Sequence, residues 1–339
     1  MWNAVLVDRD YGSVSLERQK KLQEYYRNHN INMQLEHYKT PAEIIEGCRE
    51  ADVILATGNP PINREVLEAL SNLKAVQRFG IGVNSVDMKA ASETGTLALY
   101  MPGFCVEEIA LHSMALILDI LRNISYYDRG VRIGDWRKTQ GPLPRNPKEL
   151  TLGLFGFGAS ARPLCKIYSG GFVSKVLAYD PYVDSSVEKD YCVEMVSFDE
   201  LIKRADIVSI HVPATPETKG AFNRDVFKKM KNDAIIINCS RGDIIAEDDL
   251  IQALEDGEIG FAGLDVFEIE PLPMESPLIK NDRVVLTPHT ASYGDNAQRV
   301  QMQLAMDLVV GVLNEKTVPE KYIANKGVVS KIPGLKVVK

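Results

Sequence analysis

Hydrophobic and polar positions in this chain come in blocks rather than in strict alternation. In the first hundred residues, Ala4–Asp8, Asn32–Glu36, Asp52–Ala56, Lys74–Phe79 and Thr96–Tyr100 form short apolar runs, and the segments between them carry helical spacing. Such runs predict strands covered on both faces, hence a small open α/β unit. Met101-Pro102-Gly103 breaks the pattern. A long helix is predicted from Cys105 to Leu121, with Ile109, Leu116 and Ile120 on its buried side, followed by a polar, Pro- and Gly-rich excursion. From Thr151 a second α/β series begins. Its predicted strands are Thr151–Phe155, Lys175–Asp180, Asp206–Val212, Asp233–Cys239, Phe261–Phe267 and Arg283–Pro288. A long amphipathic helix is predicted over Asn296–Leu313, and the basic end, Ser330–Lys339, reads as a solvated, frayed tail.

With 339 residues the chain is long for one hydrophobic core and comfortable for two. Its 39 basic and 46 acidic residues leave a formal charge of −7, which argues against nucleic acid as the main partner. Five cysteines at 48, 105, 165, 192 and 239 form no C-x-x-C pair, so reduced thiols and a cytoplasmic location are expected. The N-terminus reads as a strand rather than a signal peptide, and Ile109–Leu121 is too short to span a bilayer, so no membrane partner is expected. No cluster of His, Cys and Asp has metal-ligand spacing, so no metal is expected.

The sharpest local motif is Gly156-Phe157-Gly158-Ala159-Ser160-Ala161, between a predicted strand and a predicted helix. It has the G-x-G-x-x-A form of a dinucleotide fingerprint. Gly156 serves the tight turn, and Gly158 allows the backbone to approach a pyrophosphate at the helix N-terminus. Asp180 stands 22 residues beyond Gly158. An acid there accepts hydrogen bonds from a ribose 2′-hydroxyl and repels a 2′-phosphate, which favours NAD over NADP. The alternative is a structural glycine turn with a capping aspartate.

Several further segments resemble the D-isomer-specific 2-hydroxyacid dehydrogenase family, over nearly the whole chain. They are Arg78-Phe79-Gly80-Ile81-Gly82-Val83-Asn84-Ser85-Val86-Asp87, Val106-Glu107-Glu108-Ile109-Ala110, His211 to Thr218, Ile237 to Gly242, Gly263 to Pro271 and Thr287-Pro288-His289-Thr290-Ala291. Asn84-Ser85 departs from the family's Asp-Asn wording. The resemblance implies two Rossmann-like parallel-sheet α/β domains with the active site in the cleft between them. It places a substrate domain at 1–101, an NAD-binding domain at 102–301 and a return to the substrate domain at 302–339. It also implies a homodimer that includes the Trp136 region.

Reducing a 2-keto acid requires that the carboxylate be held, the carbonyl polarised and a proton delivered to oxygen as hydride arrives. The resemblance assigns Arg241 to the substrate carboxylate and carbonyl, His289 to the proton and Glu270 to the pairing of that histidine. A carboxylate beside imidazole orients the ring and favours its protonated form. Glu268 competes, but Glu270 lies 29 residues after Arg241 and directly precedes Pro271, as the family has it. On the cofactor side the resemblance adds Asp265 for the nicotinamide carboxamide, Cys239 and Ser240 as backbone lining beside Arg241 and His289, and His211, Pro213 and Thr215 near adenosine and pyrophosphate, with Phe157 and Ala159 in the glycine loop. Thr215 equally suits a turn cap. Cys239 is unattractive as a nucleophile because no histidine adjoins it. Arg78, Phe79, Gly80 and Ile81 are expected at the substrate, the last two through backbone N–H groups, with Gly58-Asn59 and the Trp136–Asn146 loop as further wall. The other histidines, His29, His37 and His112, read as surface or packing residues.

The expected activity is therefore NAD-dependent hydride exchange at C2 of a small D-2-hydroxy or 2-keto acid. The alternative is an NAD-sensing corepressor-like module of the C-terminal-binding-protein type, which can keep all three residues. Formate dehydrogenases resemble the chain less well, having glutamine where Glu270 stands, and phosphoglycerate dehydrogenases often carry an added regulatory domain.

Overall fold

A computed structural model describes residues 1–8, 15–136, 141–172 and 174–339. The chain divides into two compact units, Met1–Phe104 with Asp295–Lys339, and Cys105–Gly294. In the first, strands β1 (Trp2–Leu6), β2 (Ile31–Leu35), β3 (Val53–Ala56), β4 (Ala75–Arg78) and β5 (Leu97–Leu99) alternate with helices α1 (Leu16–Asn28), α2 (Pro41–Gly47), α3 (Arg64–Ala69) and α4 (Met88–Thr94). All strand pairs are parallel, in the order β2-β1-β3-β4-β5. Each crossover helix covers a face, so β3 is buried at all four residues. The order reverses between β1 and β3, the crevice where such sheets gather ligands.

The second unit opens with α5 (Val106–Arg122) and α6 (Ile124–Arg132). Strands β6 (Leu152–Phe155), β7 (Val176–Tyr179), β8 (Glu194–Met195), β9 (Ile207–Ile210), β10 (Ile235–Asn238), β11 (Phe261–Leu264) and β12 (Val284–Leu286) follow, with helices α7 (Ala161–Phe172), α8 (Phe198–Arg204), α9 (Arg224–Phe227) and α10 (Glu247–Glu255) between them. The sheet is wholly parallel, in the order β12-β11-β10-β9-β6-β7-β8. This is the doubly wound order of dinucleotide-binding folds, with its switch point between β6 and β9. One core joins α5 and α7 to one face and another joins α8 to α10 to the opposite face.

Most strands stop one to three residues short of the apolar runs that predict them, while β3 and β6 end with theirs. Asp180, His211, Cys239, Asp265 and Thr287 stand just past the strand ends at the carboxyl edge, where the N–H groups of His211, Asp265 and Thr287 still bond the neighbouring strand. Strand β8 has no apolar run to announce it.

The chain then returns to the first unit through α11 (Asp295–Val310). There the buried Tyr26 hydroxyl donates to the Ala305 carbonyl at 2.7 Å, and the Asn325 side chain bonds both Thr96 and Ala98 beside β5. The end of the chain corrects the expected frayed tail. Strand β13 (Thr317–Pro319) pairs in parallel with β14 (Lys336–Val338), so those backbone groups are satisfied by each other. Among the described residues no helix is long and apolar enough to cross a membrane.

Candidate active site

The switch point of the second unit carries the glycine loop. Gly156 follows β6 with φ +94°, a left-handed value that disfavours side chains. A Cβ there would also lie 2.7 Å from Val212 Cγ1 and 2.8 Å from the His211 carbonyl oxygen. The turn is therefore squeezed against the end of β9. Gly158 differs, because a Cβ there would meet no protein atom within 4 Å. No protein neighbour demands glycine at that place, and the open space suits the close approach of a pyrophosphate. The loop then enters α7, whose first N–H groups suit a pyrophosphate.

Asp180 is brought to this loop. One carboxylate oxygen accepts the Phe157 N–H and the other the Tyr182 N–H, each at 2.9 Å, leaving lone pairs on both for ribose hydroxyls. Phe157 is fully buried, with the Arg162 guanidinium 5.7 Å from its ring centre. His211 sits between two hydroxyls, Ser160 at 3.1 Å from Nδ1 and Ser209 at 2.9 Å from Nε2. Withdrawal from water lowers this imidazole to about 4. Ser160, the unassigned position of the fingerprint, thus joins the site through His211. The Thr215 hydroxyl bonds Thr218, whose own hydroxyl donates to the Pro213 carbonyl, so this segment is a self-capped turn beside the loop. The residues present fit a dinucleotide.

Beyond β10, Asn238 folds the next residues. Its amide oxygen accepts the N–H and hydroxyl of Ser240, and its amide nitrogen donates to the Arg241 carbonyl at 2.8 Å. Arg241 Nη1 donates back to the Ser240 carbonyl at 2.6 Å. Cys239 is buried, and desolvation pushes its thiol up to about 12, so almost no thiolate exists near neutral pH.

His289 and Glu270 meet as expected, with Nδ1 2.6 Å from Oε2. A carboxylate only accepts, so Nδ1 carries a proton and Nε2 is the nitrogen left for chemistry. The side chains are 47% and 37% exposed, open enough to meet a substrate. Partial burial alone would raise the Glu270 carboxyl. The His289 hydrogen bond and charge, the Phe267 N–H and the Arg241 charge outweigh it, and hold the group below the usual carboxylate range. Glu268 is separately engaged: it accepts the Glu247 N–H at 3.1 Å, while its own N–H donates to Glu247 at 3.2 Å. It braces the loop, and Glu270 is the carboxylate that reaches the histidine.

Asp265 organises the histidine loop. It is fully buried. Its carboxylate accepts the Thr287 hydroxyl at 2.6 Å and the N–H groups of Thr290 and Ala291 at 2.8 Å, and its carbonyl accepts the His289 N–H at 2.8 Å. That scaffold holds His289 at φ +53°, a conformation costing roughly 1–2 kcal/mol for a residue with a side chain. His112, expected only to pack, lies in this cluster. Its Nε2 is 2.9 Å from Thr287 Oγ1 and 3.5 Å from Asp265 Oδ1. It stands on the helix stripe of Ile109 and Leu116, and a polar residue on that stripe was the available signal.

In the first unit, Asp8 after β1 accepts the Thr57 N–H at 2.7 Å, the Gly58 N–H at 3.2 Å and the Thr57 hydroxyl. Burial raises its carboxyl despite these bonds. The Arg78 guanidinium lies against Gly58 and Gly80, where added Cβ atoms would stand 3.2 and 3.3 Å from its terminal nitrogens. Phe79 is buried and Ile81 is 37% exposed. The Gly80 N–H donates to the Arg78 carbonyl at 3.1 Å. In the Trp136–Asn146 loop, residues 137–140 lie outside the described residues; Trp136 and Leu143 are exposed. Among the described residues no group of His, Cys, Asp and Glu is placed to hold a metal ion.

A doubly wound nucleotide unit with an Arg, Glu and His gathered at its carboxyl edge defines a class of dehydrogenase. The family model of the D-isomer specific 2-hydroxyacid dehydrogenase NAD binding domain matches residues 114–291, and the chain belongs to that family, with NAD as its cofactor. It is 35% identical over 301 residues to a glyoxylate reductase of Thermofilum pendens, covering 86% of each chain. It is 34% identical over 295 residues to a D-3-phosphoglycerate dehydrogenase of Methanocaldococcus jannaschii, covering 84% of this chain and 56% of that protein. The chain thus spans about half the length of the phosphoglycerate dehydrogenases it matches. Among solved structures, the NAD-dependent formate dehydrogenase of Staphylococcus aureus in complex with NAD superposes with a TM-score of 0.84 at 25% identity, covering 95% of this chain and 98% of that one.

Proposed function

We propose that this protein catalyses NAD-dependent hydride exchange at C2 of a small D-2-hydroxy or 2-keto acid, with Arg241, Glu270 and His289 as its working residues. The observation that carries the reading is the 2.6 Å His289–Glu270 pair, within electrostatic reach of Arg241. When bound, NADH supplies the hydride. Arg241 presents a planar fork that holds the substrate carboxylate and draws charge onto the carbonyl oxygen. His289 delivers the Nε2 proton to that oxygen in reduction and takes the hydroxyl proton in oxidation. Glu270 holds the ring in the working tautomer and stabilises its charged form. Asp180, the Gly156–Ala161 loop, His211, Pro213 and Thr215 are the proposed adenosine and pyrophosphate contacts. Cys239, Ser240 and Asp265 are those for nicotinamide.

Arg78, Phe79 and Ile81 are proposed substrate contacts, Arg78 for a polar or anionic substituent because its charge stands between two glycines. A homodimer is proposed on the exposed apolar side chains of Leu111, Ile124, Val131, Ile133 and Trp136, and light scattering tests it.

The test follows NADH absorbance against glyoxylate, hydroxypyruvate, pyruvate and branched 2-keto acids, with His289→Ala as control. Turnover lost in the variant by about a thousandfold or more supports the assignment. NADH binding without turnover of any acid would sink it and favour a cofactor-sensing, peptide-binding role.

A further inference from the structure

We infer that His112 is a positioning residue for this reaction, acting through Thr287 and Asp265 on the backbone of His289. The inference rests on the dehydrogenase reading above. Its geometry lies wholly in the second unit. Thr287 Oγ1 is 2.6 Å from Asp265 Oδ1. A carboxylate cannot donate, so the single hydroxyl proton of Thr287 lies on that bond. The hydroxyl oxygen must then accept from its other neighbour, His112 Nε2 at 2.9 Å. His112 is thereby assigned the Nε2–H tautomer, and one directed chain runs from His112 through Thr287 to Asp265.

Asp265 is the end of that chain and the hub of the histidine loop. The N–H groups of His289, Thr290 and Ala291 all end on Asp265, as does the Thr287 hydroxyl. His289 keeps its left-handed backbone only while these bonds persist. The packing of α5 brings His112 to the cluster. A Cβ at Gly263 in β11 would lie 3.2 Å from Leu116 Cβ and 2.8 Å from Ile237 Cδ1. That glycine lets the helix approach the strand closely, one turn below His112. At 23% exposure His112 reaches the loop through Thr287 and Asp265, while Glu270 holds the ring itself. Glu270 thus sets the tautomer of His289, and His112 sets where its backbone stands.

The test compares His112→Leu, which removes the donor, with His112→Gln, whose amide N–H can replace Nε2–H, and with Thr287→Val. In His112→Leu we expect kcat to fall by about 10- to 100-fold, the range for removal of supporting hydrogen bonds. The KM for NADH should change less than about twofold. His112→Gln should recover most of the loss. Thr287→Val should lose as much as His112→Leu, and the double variant no more than either, because both cut one chain. Imidazole nitrogen NMR of the unliganded protein should give the Nε2–H form for His112, and a His289 signal that shifts in His112→Leu and returns in His112→Gln. A neutral Nδ1–H form, an unshifted His289 signal, or equal losses in the Leu and Gln variants would overturn the inference. If the wild type reduces no 2-keto acid, the dehydrogenase reading falls, while the NMR result still decides the hydrogen-bonded chain. If His112→Leu does not fold, Thr287→Val with the NMR readout decides.

Discussion

His211 and Glu268 show how far residue type underdetermines role. Both stand among functional segments and carry the right chemistry, yet each is occupied by its neighbours. His211 gives a pH signature. Its ring is lowered from 6.5 to about 4 by desolvation. Between those values the unfolded chain binds the extra proton and the native state does not, so stability falls as pH falls from 6.5 toward 4. His211→Gln should remove on the order of 2 kcal/mol of that decline, measured by urea unfolding at pH 7 and pH 4.5. A decline unchanged in the variant would mean that the ring is hydrated. For the acids, Glu270→Gln should cut kcat by about 10- to 100-fold with folding intact. Glu268→Gln should leave kcat within about threefold, since an amide oxygen still accepts the Glu247 N–H. Equal losses in the two would reverse the roles assigned to them.

At the scale of elements, the site is a set of strand ends held in register by close backbone approaches. Gly242 is the tightest: a Cβ there would lie 1.9 Å from the Phe267 carbonyl carbon and 2.5 Å from the Glu268 nitrogen. The segment after β10, carrying Arg241, is pressed against the segment after β11, carrying Glu270. Neither is a flexible side chain that can step aside. Gly242→Ala should therefore cost about 3 kcal/mol or more and abolish turnover even where protein survives, read from urea midpoints alongside kcat. A variant of wild-type stability would show that the two segments are looser than their contacts imply. The strand boundaries follow the same logic. Apolar runs predict where a strand is buried, but they continue past its end into Asp180, His211, Cys239 and Asp265, and the Asp180 and Asp265 carboxylates there accept loop N–H groups.

For the whole molecule, each unit closes its own sheet, and the chain visits the first, builds the second and returns. A ligand that binds the native glycine loop stabilises by mass action, by about 2.7 kcal/mol at a hundredfold excess over Kd. NADH should raise the melting temperature, and hydrogen exchange in the full chain should slow most around Gly156–Ala161, Asp180 and His211. Equal protection by NADPH would contradict the part given to Asp180. The sequence alone determined the two α/β series, because buried parallel strands must read as unbroken apolar runs. It also carried the glycine loop, because a tight turn accepts few residue types, and a family resemblance that pointed to Arg241, Glu270 and His289. Only the tertiary structure decided that the basic end pairs as a strand and that His112 reaches Asp265. Those outcomes depend on contacts between residues far apart in the chain, and the distance between two strand ends leaves no local mark on composition or periodicity.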